Sequence, residues 1–443
     1  MPRRRGAALL TAAAFATLTV ALLVTFVWAL SLQSQLDALG DPLASPPPSE
    51  PSAAAPQSGT ESQSAVPDPS ALPSGAAEVG GAVWYPATEA TAYATVAAVN
   101  SSAENRSRAD FVVEGAADDE INAALASLAD AGGGQVKLLE GRFELDSPII
   151  VGGNGLALVG VNVGNGAGYG DEALGSQIVP SDRFPDGGSL VVTTPDAYGP
   201  MISLLHLDGL GRVNGLNVES RRPTITLNAV TQAADVGMRF AGESTGNRPY
   251  DGYVLFNRVF DGDGIGILHD HFSGDMLIEG NVVFRNNGDG FRCLGASQMY
   301  RVNHAYNNGG VGLRIIPGCV RTRLSSNKWE GNSSGGVSIE GGSGFTIVGD
   351  TFAHNESGGA DPPAHIQIGV RGDEPTTGVM LWGLSFGKGS DDNPHLVHVG
   401  SLGRDVHIGP VHSAGGSTGE PFRIDDGAEV SFYDAIADPV IDE

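Results

Sequence analysis

Five short segments recur between residues 250 and 355, and each ends in Asn or Asp: Leu255-Phe256-Asn257, Ile278-Glu279-Gly280-Asn281, Arg301-Val302-Asn303, Ser325-Ser326-Asn327 and Val348-Gly349-Asp350. Their last residues lie 24, 22, 24 and 23 positions apart. An aromatic residue follows each segment within three positions: Phe260, Phe284, Tyr306, Trp329 and Phe352. A repeat of about 23 residues is typical of a solenoid, in which each coil buries its apolar face only against its neighbours.

Each repeat also contains a turn rich in Asn and Gly, followed by a short alternation of apolar residues. One such turn covers residues 286–290, and Phe291 and Cys293 begin the alternation after it. Strands of period 2 in every unit predict coils of β-structure. Asn tolerates the left-handed backbone of coil corners, and stacked Asn amides can hydrogen-bond from coil to coil. The Leu-x-x-Leu-x-Leu pattern of leucine-rich repeats is missing, and the blades of β-propellers are longer.

A helix is predicted near the start of the folded region, over about residues 118–130. Its first turn is acidic, which favours a helix N-terminus. Ile121, Leu125 and Leu128 fall on one side of this helix. Because the open end of a solenoid needs a cover, we predict that this segment is the N-terminal capping helix.

The opening of the folded region resembles that of pectate-lyase-like β-helix proteins. The similar segments are Ala109-Asp110-Phe111-Val112-Val113, residues 118–125, residues 132–138, Gly141-Arg142-Phe143 and Leu158-Val159-Gly160. The later Asn/Gly coils resemble carbohydrate-binding β-helix repeats, so that the resemblance covers about residues 105–410. It implies an all-β fold, a right-handed parallel β-helix solenoid. This fold hosts many activities, so the resemblance alone does not assign one.

The sequence divides into three predicted parts. Three arginines at positions 3–5 precede an apolar run from Ala7 to about Leu32, which is long enough to span a bilayer. The basic flank should stay in the cytoplasm. We therefore predict a signal anchor or transmembrane helix over residues 1–33, with the body outside the cell, or secreted if the helix is cleaved. Residues 34–80, rich in Pro, Ser and Ala, predict a disordered linker, and residues 81–443 form the predicted β-helix domain.

The formal net charge of the 443-residue chain is −26. Such a surface repels nucleic acid phosphates, so no nucleic acid partner is predicted. It also disfavours polyanionic glycans unless a local Arg cluster or a bridging Ca²⁺ intervenes. We predict a polysaccharide as the partner and no certain cofactor, with Ca²⁺ as a candidate. The sequence does not define the oligomeric state.

Residues 264–284 resemble the segment around the catalytic motif of mannuronan C5-epimerases. In that family an Asp-Pro-His-Asp motif follows a Gly-Ile strand and precedes a Leu-Ile-x-x-Asn strand. The same place in this sequence holds Leu268-His269-Asp270-His271. Proline is absent here, and the acidic and His positions are exchanged. The resemblance therefore implies a location for the site, and it carries no residue across by identity.

Aligning the coils on Gly264, Gly290, Gly310 and Gly336 predicts two inward columns: Ile265, Phe291, Val311 and Val337, and then Ile267, Cys293, Leu313 and Ile339. Period 2 then turns Arg292 and Arg314 outward, beside the corner that holds His269, Asp270 and His271. Lyase and C5-epimerase chemistry needs a cation for the uronate carboxylate and groups that move the C5 proton. We therefore predict these five residues as the catalytic set.

Three other hypotheses remain open at this point. Glycoside hydrolysis needs two carboxylates about 5–9.5 Å apart, and Asp263 and Asp289 would stack at corners of adjacent coils. A metal could be held by His269, His271 and His304, since the two histidines of a His-x-His strand face one way. A non-catalytic glycan-binding or structural surface protein would leave the candidate residues scattered.

The chain contains two cysteines, Cys293 and Cys319, which are 26 residues apart. Cys293 falls in an inward column, which predicts a buried thiol. Cys319 follows a corner at Pro317-Gly318. The expected side-chain directions do not favour a disulfide between them, although an exported protein could form one.

Overall fold

The computed structural model describes residues 77–79, 82–84, 92–164, 175–242, 248–355, 364–387, 395–413 and 421–433. From residue 134 onward the chain passes through three parallel sheets in turn, and each coil pairs with the next. This architecture is a parallel β-helix, which confirms the predicted all-β solenoid for the described residues. The transmembrane helix over residues 1–33 lies outside them and stays a prediction. None of the described helices has the length and apolar character that crossing a bilayer requires.

Sheet 1 contains the strands Ile149–Val151, Ser189–Thr193, Asn214–Val218, Val236–Phe240, Ile265–His269, Phe291–Cys293, Leu313–Ile315, Val337–Ile339, Ala364–Ile368, His395–Val399 and Phe422–Ile424. Sheet 2 contains Phe111–Val112, Tyr93–Ala97, Gly134–Leu138, Leu156–Val159, Met201–Ser203, Thr224–Thr226, Tyr253–Leu255, Leu277–Glu279, Met299–Arg301, Arg323–Ser325, Gly342–Val348, Thr376–Trp382, Gly403–Ile408 and Val430–Phe432. Sheet 3 contains Gly141–Leu145, Ser176–Pro180, Leu205–Asp208, Ala229–Thr231, Arg258–Phe260, Val282–Phe284, His304–Tyr306, Lys328–Glu330, Thr351–Ala353, Leu384–Phe386 and Val411–Ser413.

At the N-terminal end, the described residues contain two helices and one pair of strands. The helices are Ala103–Arg108 and Asp118–Asp130, and the second occupies the segment predicted to be the cap. Its apolar side is buried and contacts the first coils of the solenoid. The strands Ala77–Val79 and Ala82–Trp84 pair antiparallel, so the last residues of the predicted linker include a strand. The rest of that linker lies outside the described residues.

Two ladders of buried side chains hold the coil corners together. The first ladder, between sheets 2 and 3, consists of Asn228, Asn257, Asn281, Asn303, Asn327 and Asp350. The second ladder, between sheets 3 and 1, consists of Asn286, Asn308, Asn332 and Asn355. Each Asn side chain before the end of its ladder donates to a carbonyl oxygen of the preceding coil and to the next side chain of its ladder, as Asn281 does with Val254 and Asn303. The stacking expected of the repeated Asn residues is thus present.

The aromatic residues that follow the first ladder divide between the two faces of sheet 3. Phe260, Phe284 and Tyr306 come three residues after their ladder positions and stack with ring centroids 4.7 Å apart, outside the main core. Trp329 and Phe352 come two residues after theirs and are fully buried in the core. A difference of one residue along a strand reverses the face to which a side chain points. The spacing therefore decides whether each aromatic ring lies in the core or outside it.

The two cysteines form a disulfide, and the prediction of a free buried thiol is wrong. Cys293 and Cys319 are bonded across a Cα–Cα distance of 5.9 Å, and both are buried. Cys293 ends a strand of sheet 1, whereas Cys319 lies in the turn before sheet 2 of the next coil. The turn after residue 315 brings Cys319 back toward the preceding coil, a path that strand alternation does not predict.

Removal of this disulfide should lower the free energy of unfolding by about 3 kcal/mol, because it closes a loop of roughly 26 residues. The Cys293→Ala/Cys319→Ala double variant should show this loss in chemical denaturation. A reductant should destabilise the wild type and leave the double variant unchanged. Equal sensitivity of both proteins to the reductant would contradict the assignment.

Asp350 ends the first ladder with an acid in place of an amide. It accepts hydrogen bonds from the backbone N–H of Asn327 at 2.9 Å and from Trp329 Nε1 at 2.8 Å. Burial of the carboxyl group raises the pKa of Asp350 to about 7. The charged form is therefore less stable in the folded protein than in the unfolded chain, where the pKa of Asp is about 3.9.

This carboxyl group predicts a loss of stability as pH rises. Below pH 4 it is neutral in both states, and from pH 4 to 7 only the unfolded chain ionises. The contribution of Asp350 to the free energy of unfolding should fall by about 4 kcal/mol over that window and stay constant above it. The difference in unfolding free energy between the wild type and Asp350→Asn should change with pH accordingly. Asp275→Asn, at an exposed position, is the control, and the same pH dependence in it would refute the assignment.

Candidate active site

One row of residues crosses the outer face of sheet 1, each residue paired with the next through its Cα position: Asn217, Arg239, Leu268, Arg292, Arg314, Ser338, Gln367, His398 and Arg423. We call it the outer row. Its members alternate along each strand with core residues, such as Phe291 and Cys293 on either side of Arg292. Arg292 and Arg314 therefore face outward, in agreement with the alternation of the sequence, and they are direct neighbours.

Asp289 holds these two arginines together. Arg292 donates to Asp289 Oδ2 from Nε at 2.8 Å and from Nη2 at 2.7 Å. Arg314 donates to Oδ2 from Nε at 2.9 Å and to Oδ1 from Nη2 at 3.2 Å. The backbone N–H of Val311 also donates to Oδ1, at 2.9 Å. Despite burial, which acts in the opposite direction, these hydrogen bonds and the charges of both arginines lower the pKa of Asp289, so it stays ionised.

A second carboxylate lies on the other side of Arg314. Arg314 Nη1 donates to Glu340 Oε1 at 2.5 Å, and Ser338 Oγ donates to the same oxygen at 3.1 Å. Only 19% of the Arg314 side chain is exposed. Arg314 is thus fixed between two carboxylates, and its guanidinium plane is oriented before any ligand arrives.

Arg371 adds a third guanidinium group to this cluster. It follows the strand Ala364–Ile368, and the adjacent Gly372 lies against Glu340. Burial and the nearby charge of Arg314 lower the pKa of Arg371, and the charges of Glu340 and Asp289 oppose that effect only in part. Among the described residues, no carboxylate forms an ion pair with Arg371. The three guanidinium groups thus outnumber the two nearby carboxylates, which leaves one positive charge on the face of a strongly acidic chain.

Asp270 and His271 lie in the turn that follows the strand Ile265–His269. Arg239 Nε donates to Asp270 Oδ2 at 3.0 Å, and the Asp270 side chain is 17% exposed. His271 is exposed, and its ring lies beside Gly318. Asp270 and His271 belong to the coil that precedes Arg292, and they have no direct hydrogen bond with Arg292 or Arg314. The structure thus places four of the five predicted residues on this side of sheet 1, in two separate groups.

His269 is the exception, and its predicted place at an outer corner is wrong. Its side chain is fully buried, stacks on Phe240 with ring centroids 5.0 Å apart, and receives or donates a hydrogen bond at 3.0 Å between Nδ1 and Tyr300 Oη. Burial lowers the pKa of His269 to about 3, so the ring is neutral. A ring without exposed surface cannot exchange a proton with a polysaccharide.

The error has a specific cause in the register of sheet 1. The glycine positions of the coils predict Ile265 opposite Phe291, but Ile267 is the residue that pairs with Phe291. The strand consequently continues to His269, which pairs with Cys293 in a core column. The same period of 2 that turns Arg292 outward then turns His269 inward.

The structure also places the residues of the predicted carboxylate pair and of the predicted histidine metal site. The neighbour of Asp263 in the next coil is Asn287, whose Nδ2 donates to it at 3.1 Å, whereas the Asp289 carboxylate accepts hydrogen bonds from the two arginines. His304 lies on sheet 3 beside Glu330, and it does not meet His269 or His271. The described residues contain no group of three or more His, Cys, Asp or Glu that could hold a metal ion.

Three further residues on this side of sheet 1 are not predicted by the repeat. Arg371, Gln367 and His398 belong to coils in which the Asn/Gly repeat is faint, so their positions could not be aligned with Arg292 and Arg314. A signal was present, since Gln367 and His398 are polar residues flanked by apolar neighbours, in the patterns Ile366-Gln367-Ile368 and Val397-His398-Val399. That alternation marks both as outward positions.

Comparison with known proteins agrees with this architecture. A family model described as a right-handed beta helix region matches residues 211–352. The A-module of a mannuronan C-5 epimerase from Azotobacter vinelandii is structurally similar, with a TM-score of 0.51, 17% identity, and coverage of 72% of this chain and 96% of that chain. A DFA-IIIase from Arthrobacter chlorophenolicus A6 gives a TM-score of 0.57 at 12% identity, with coverage of 76% and 94%. A sequence search of curated proteins found no match.

The matched region and the three parallel sheets identify a right-handed parallel β-helix, which confirms the fold expected from the sequence. At identities of 12–17% the two structural neighbours are similar in fold, and the fold alone does not transfer an activity.

Proposed function

We propose that this chain is a polysaccharide-active protein that binds a uronate-containing glycan along the outer face of sheet 1. The observation that carries the proposal is the cluster of Arg292, Arg314 and Arg371, which has one positive charge more than Asp289 and Glu340 neutralise. A planar guanidinium group matches a carboxylate in shape and charge. The cluster supplies the local cationic site that an acidic chain needs in order to bind an acidic glycan.

The proposed chemistry is that of a lyase or a C5-epimerase. Arg371, with Arg292 and Arg314 held beside it, neutralises the uronate carboxylate and so makes the C5 proton more acidic. Asp270 and His271 are the candidate groups for proton transfer, since both have exposed atoms on this side of sheet 1. Loss of the C5 proton followed by return of a proton to the opposite face inverts C5. Loss of the proton followed by cleavage of the bond from C4 to the glycosidic oxygen forms a C4–C5 double bond, and the oxygen leaves with the bonding electrons and takes up a proton.

Glycoside hydrolysis receives less support from the same residues. That reaction needs a protonated acid beside a carboxylate. The pKa of Asp289 is lowered by hydrogen bonds and by the charges of its two arginine partners, so this carboxylate cannot act as the acid. The alternative that a specific observation favours is a non-catalytic glycan-binding protein, since Asp270 and His271 have no direct contact with the arginine cluster.

We also propose that the β-helix lies outside the cell, anchored by the helix predicted over residues 1–33. The disulfide between Cys293 and Cys319 supports this location, because disulfides persist in oxidising compartments. Ca²⁺ remains a candidate cofactor that could bridge acidic groups of the protein and of the glycan.

The full-length protein should be tested on alginate, pectate and neutral glycans, with Ca²⁺ and with a chelator. Absorbance of unsaturated uronates reports lyase chemistry, and the proton NMR spectrum reports inversion at C5.

Arg371→Ala should weaken binding of uronate glycans by about tenfold or more, because it removes one charge-assisted contact. Arg323→Ala on the exposed face of sheet 2 is the matched control. Equal binding of neutral and uronate glycans, or unchanged binding by Arg371→Ala, would refute the uronate proposal. Binding without any reaction would identify a glycan-binding protein.

A further inference from the structure

The outer face of sheet 2 contains an open groove with a volume of about 650 Å³. Its floor consists of Tyr253, Leu277 and Met299, which pair through their Cα positions on three consecutive strands. Tyr253 is 48% exposed and Met299 is 38% exposed, so the floor is accessible from solvent. At about 4.8 Å between strands, these three side chains span roughly 10 Å. An apolar strip of this length corresponds to about two linked sugar rings.

One edge of the groove is polar. Four residues from consecutive coils form it, each in the turn that precedes its strand of sheet 2: Arg222, Asp251, Asp275 and Ser297. Arg222 Nη2 lies 3.4 Å from Asp251 Oδ2, and both side chains are about half exposed. The guanidinium group of Arg222 also lies over the ring of Tyr198, 5.4 Å from its centroid. Asp275 is exposed, and within the described part of the chain its carboxylate has no ion-pair partner.

The charges at this groove differ from those of the arginine cluster on sheet 1. Arg222 balances Asp251, so Asp275 leaves one negative charge beside the apolar floor. That charge repels the carboxylates of a uronate glycan, and it also repels a second copy of a chain whose formal net charge is −26. The occupant that fits is therefore uncharged, with an apolar face for the floor and hydroxyl groups for the edge.

We propose that this groove binds a neutral, β-linked hexopyranose chain, at a site separate from the arginine cluster. In such a chain most hydroxyl groups are equatorial, so the C–H bonds of each ring form an apolar face. That face can stack on the Tyr253 ring, whose negative face attracts C–H groups, and pack against the rest of the floor. The carboxylates of Asp251 and Asp275 accept hydrogen bonds from sugar hydroxyl groups, and Arg222 donates to them. This inference goes beyond the proposed function, since it requires neither a uronate nor a reaction.

Titration of the full-length protein with cellohexaose and mannohexaose, followed by NMR, tests the site. Tyr253→Ala should weaken binding by about tenfold, because it removes the stacking surface, whereas Tyr253→Phe keeps the ring and should bind within about twofold of the wild type. Tyr93→Ala is the matched control, since Tyr93 is 52% exposed and lies in the same outward column of sheet 2. Without an ion pair to the ligand, this binding should be weaker than that of uronate glycans to the arginine cluster.

The groove site and the uronate site can fail separately. Arg371→Ala should leave cellohexaose binding unchanged, and Tyr253→Ala should leave binding of oligogalacturonates unchanged. If neither neutral hexasaccharide binds, or if Tyr253→Ala or Tyr93→Ala behaves like the other in this assay, the groove site is overturned and the uronate proposal stands. Self-association that Tyr253→Ala abolishes, without binding of either hexasaccharide, would also overturn the sugar site and identify the groove as an interface between copies of the chain.

Discussion

Replacing Asp289 with alanine should lower the free energy of unfolding by about 4 kcal/mol, because it removes one partner from a buried ion-pair network. The Asp289 side chain is 2% exposed and accepts five hydrogen bonds, from Arg292, Arg314 and the N–H of Val311. Arg292 would lose its ion-pair partner, and Arg314 would keep only Glu340. Chemical denaturation at neutral pH measures the loss.

Two further variants test whether the ion-pair network is the cause of the lost stability. Asp263→Ala removes an exposed acid whose hydrogen bond is to Asn287, and it should cost less than about 1 kcal/mol. Adding Arg292→Met to Asp289→Ala should recover part of the lost stability, since the second change removes the charge that the first left unpaired. Additive losses in this double variant would contradict the account.

The site that contains this network can be predicted from the sequence only in part. The period of the repeat and the alternation of residues are local properties, and they correctly turned Arg292 and Arg314 outward. Whether Arg292 lies opposite Gly266 or Leu268 depends on how far the preceding turn extends, and nothing local fixes that length. Leu268 is the residue that pairs with it. A shift of two residues leaves each side chain on the same face of the sheet but changes its partners on the neighbouring strands.

The disulfide and the end of the outer row depend on turns and connections that the sequence repeat does not predict. Cys319 approaches Cys293 because the turn after sheet 1 folds back, and turn paths in a solenoid are not periodic. Gln367 and His398 lie in coils whose connections from sheet 3 are irregular in length, so the repeat could not be aligned there. The first ladder, in contrast, was visible because each Asn must recur at the same corner in order to bond with the next.

Replacing Asn303 with alanine in the middle of that ladder should lower the free energy of unfolding by about 5 kcal/mol, the largest effect expected of a single change. Asn303 Nδ2 donates to the carbonyl oxygen of Ile278 at 2.8 Å and to Asn327 Oδ1 at 3.0 Å. Its Oδ1 accepts from the backbone N–H and from Nδ2 of Asn281, both at 3.0 Å. Alanine leaves several buried groups unpaired, each at a cost of about 1–3 kcal/mol.

Asn303→Asp separates the contribution of the side-chain acceptor from that of the side-chain donor. The carboxylate keeps the acceptor for Asn281 and loses the donor to Ile278, and it buries a charge in a corner where the natural ladder carries an acid only at its end. Asn303→Asp should therefore be most stable at acidic pH and approach or exceed the loss of Asn303→Ala near neutrality. Asn287→Ala, which removes an exposed Asn from the next turn, is the control, with an expected loss below about 1 kcal/mol. If Asn303→Ala cost no more than this control, the ladder would not be what holds the coils together, and packing of the core alone would have to explain the stability of the solenoid.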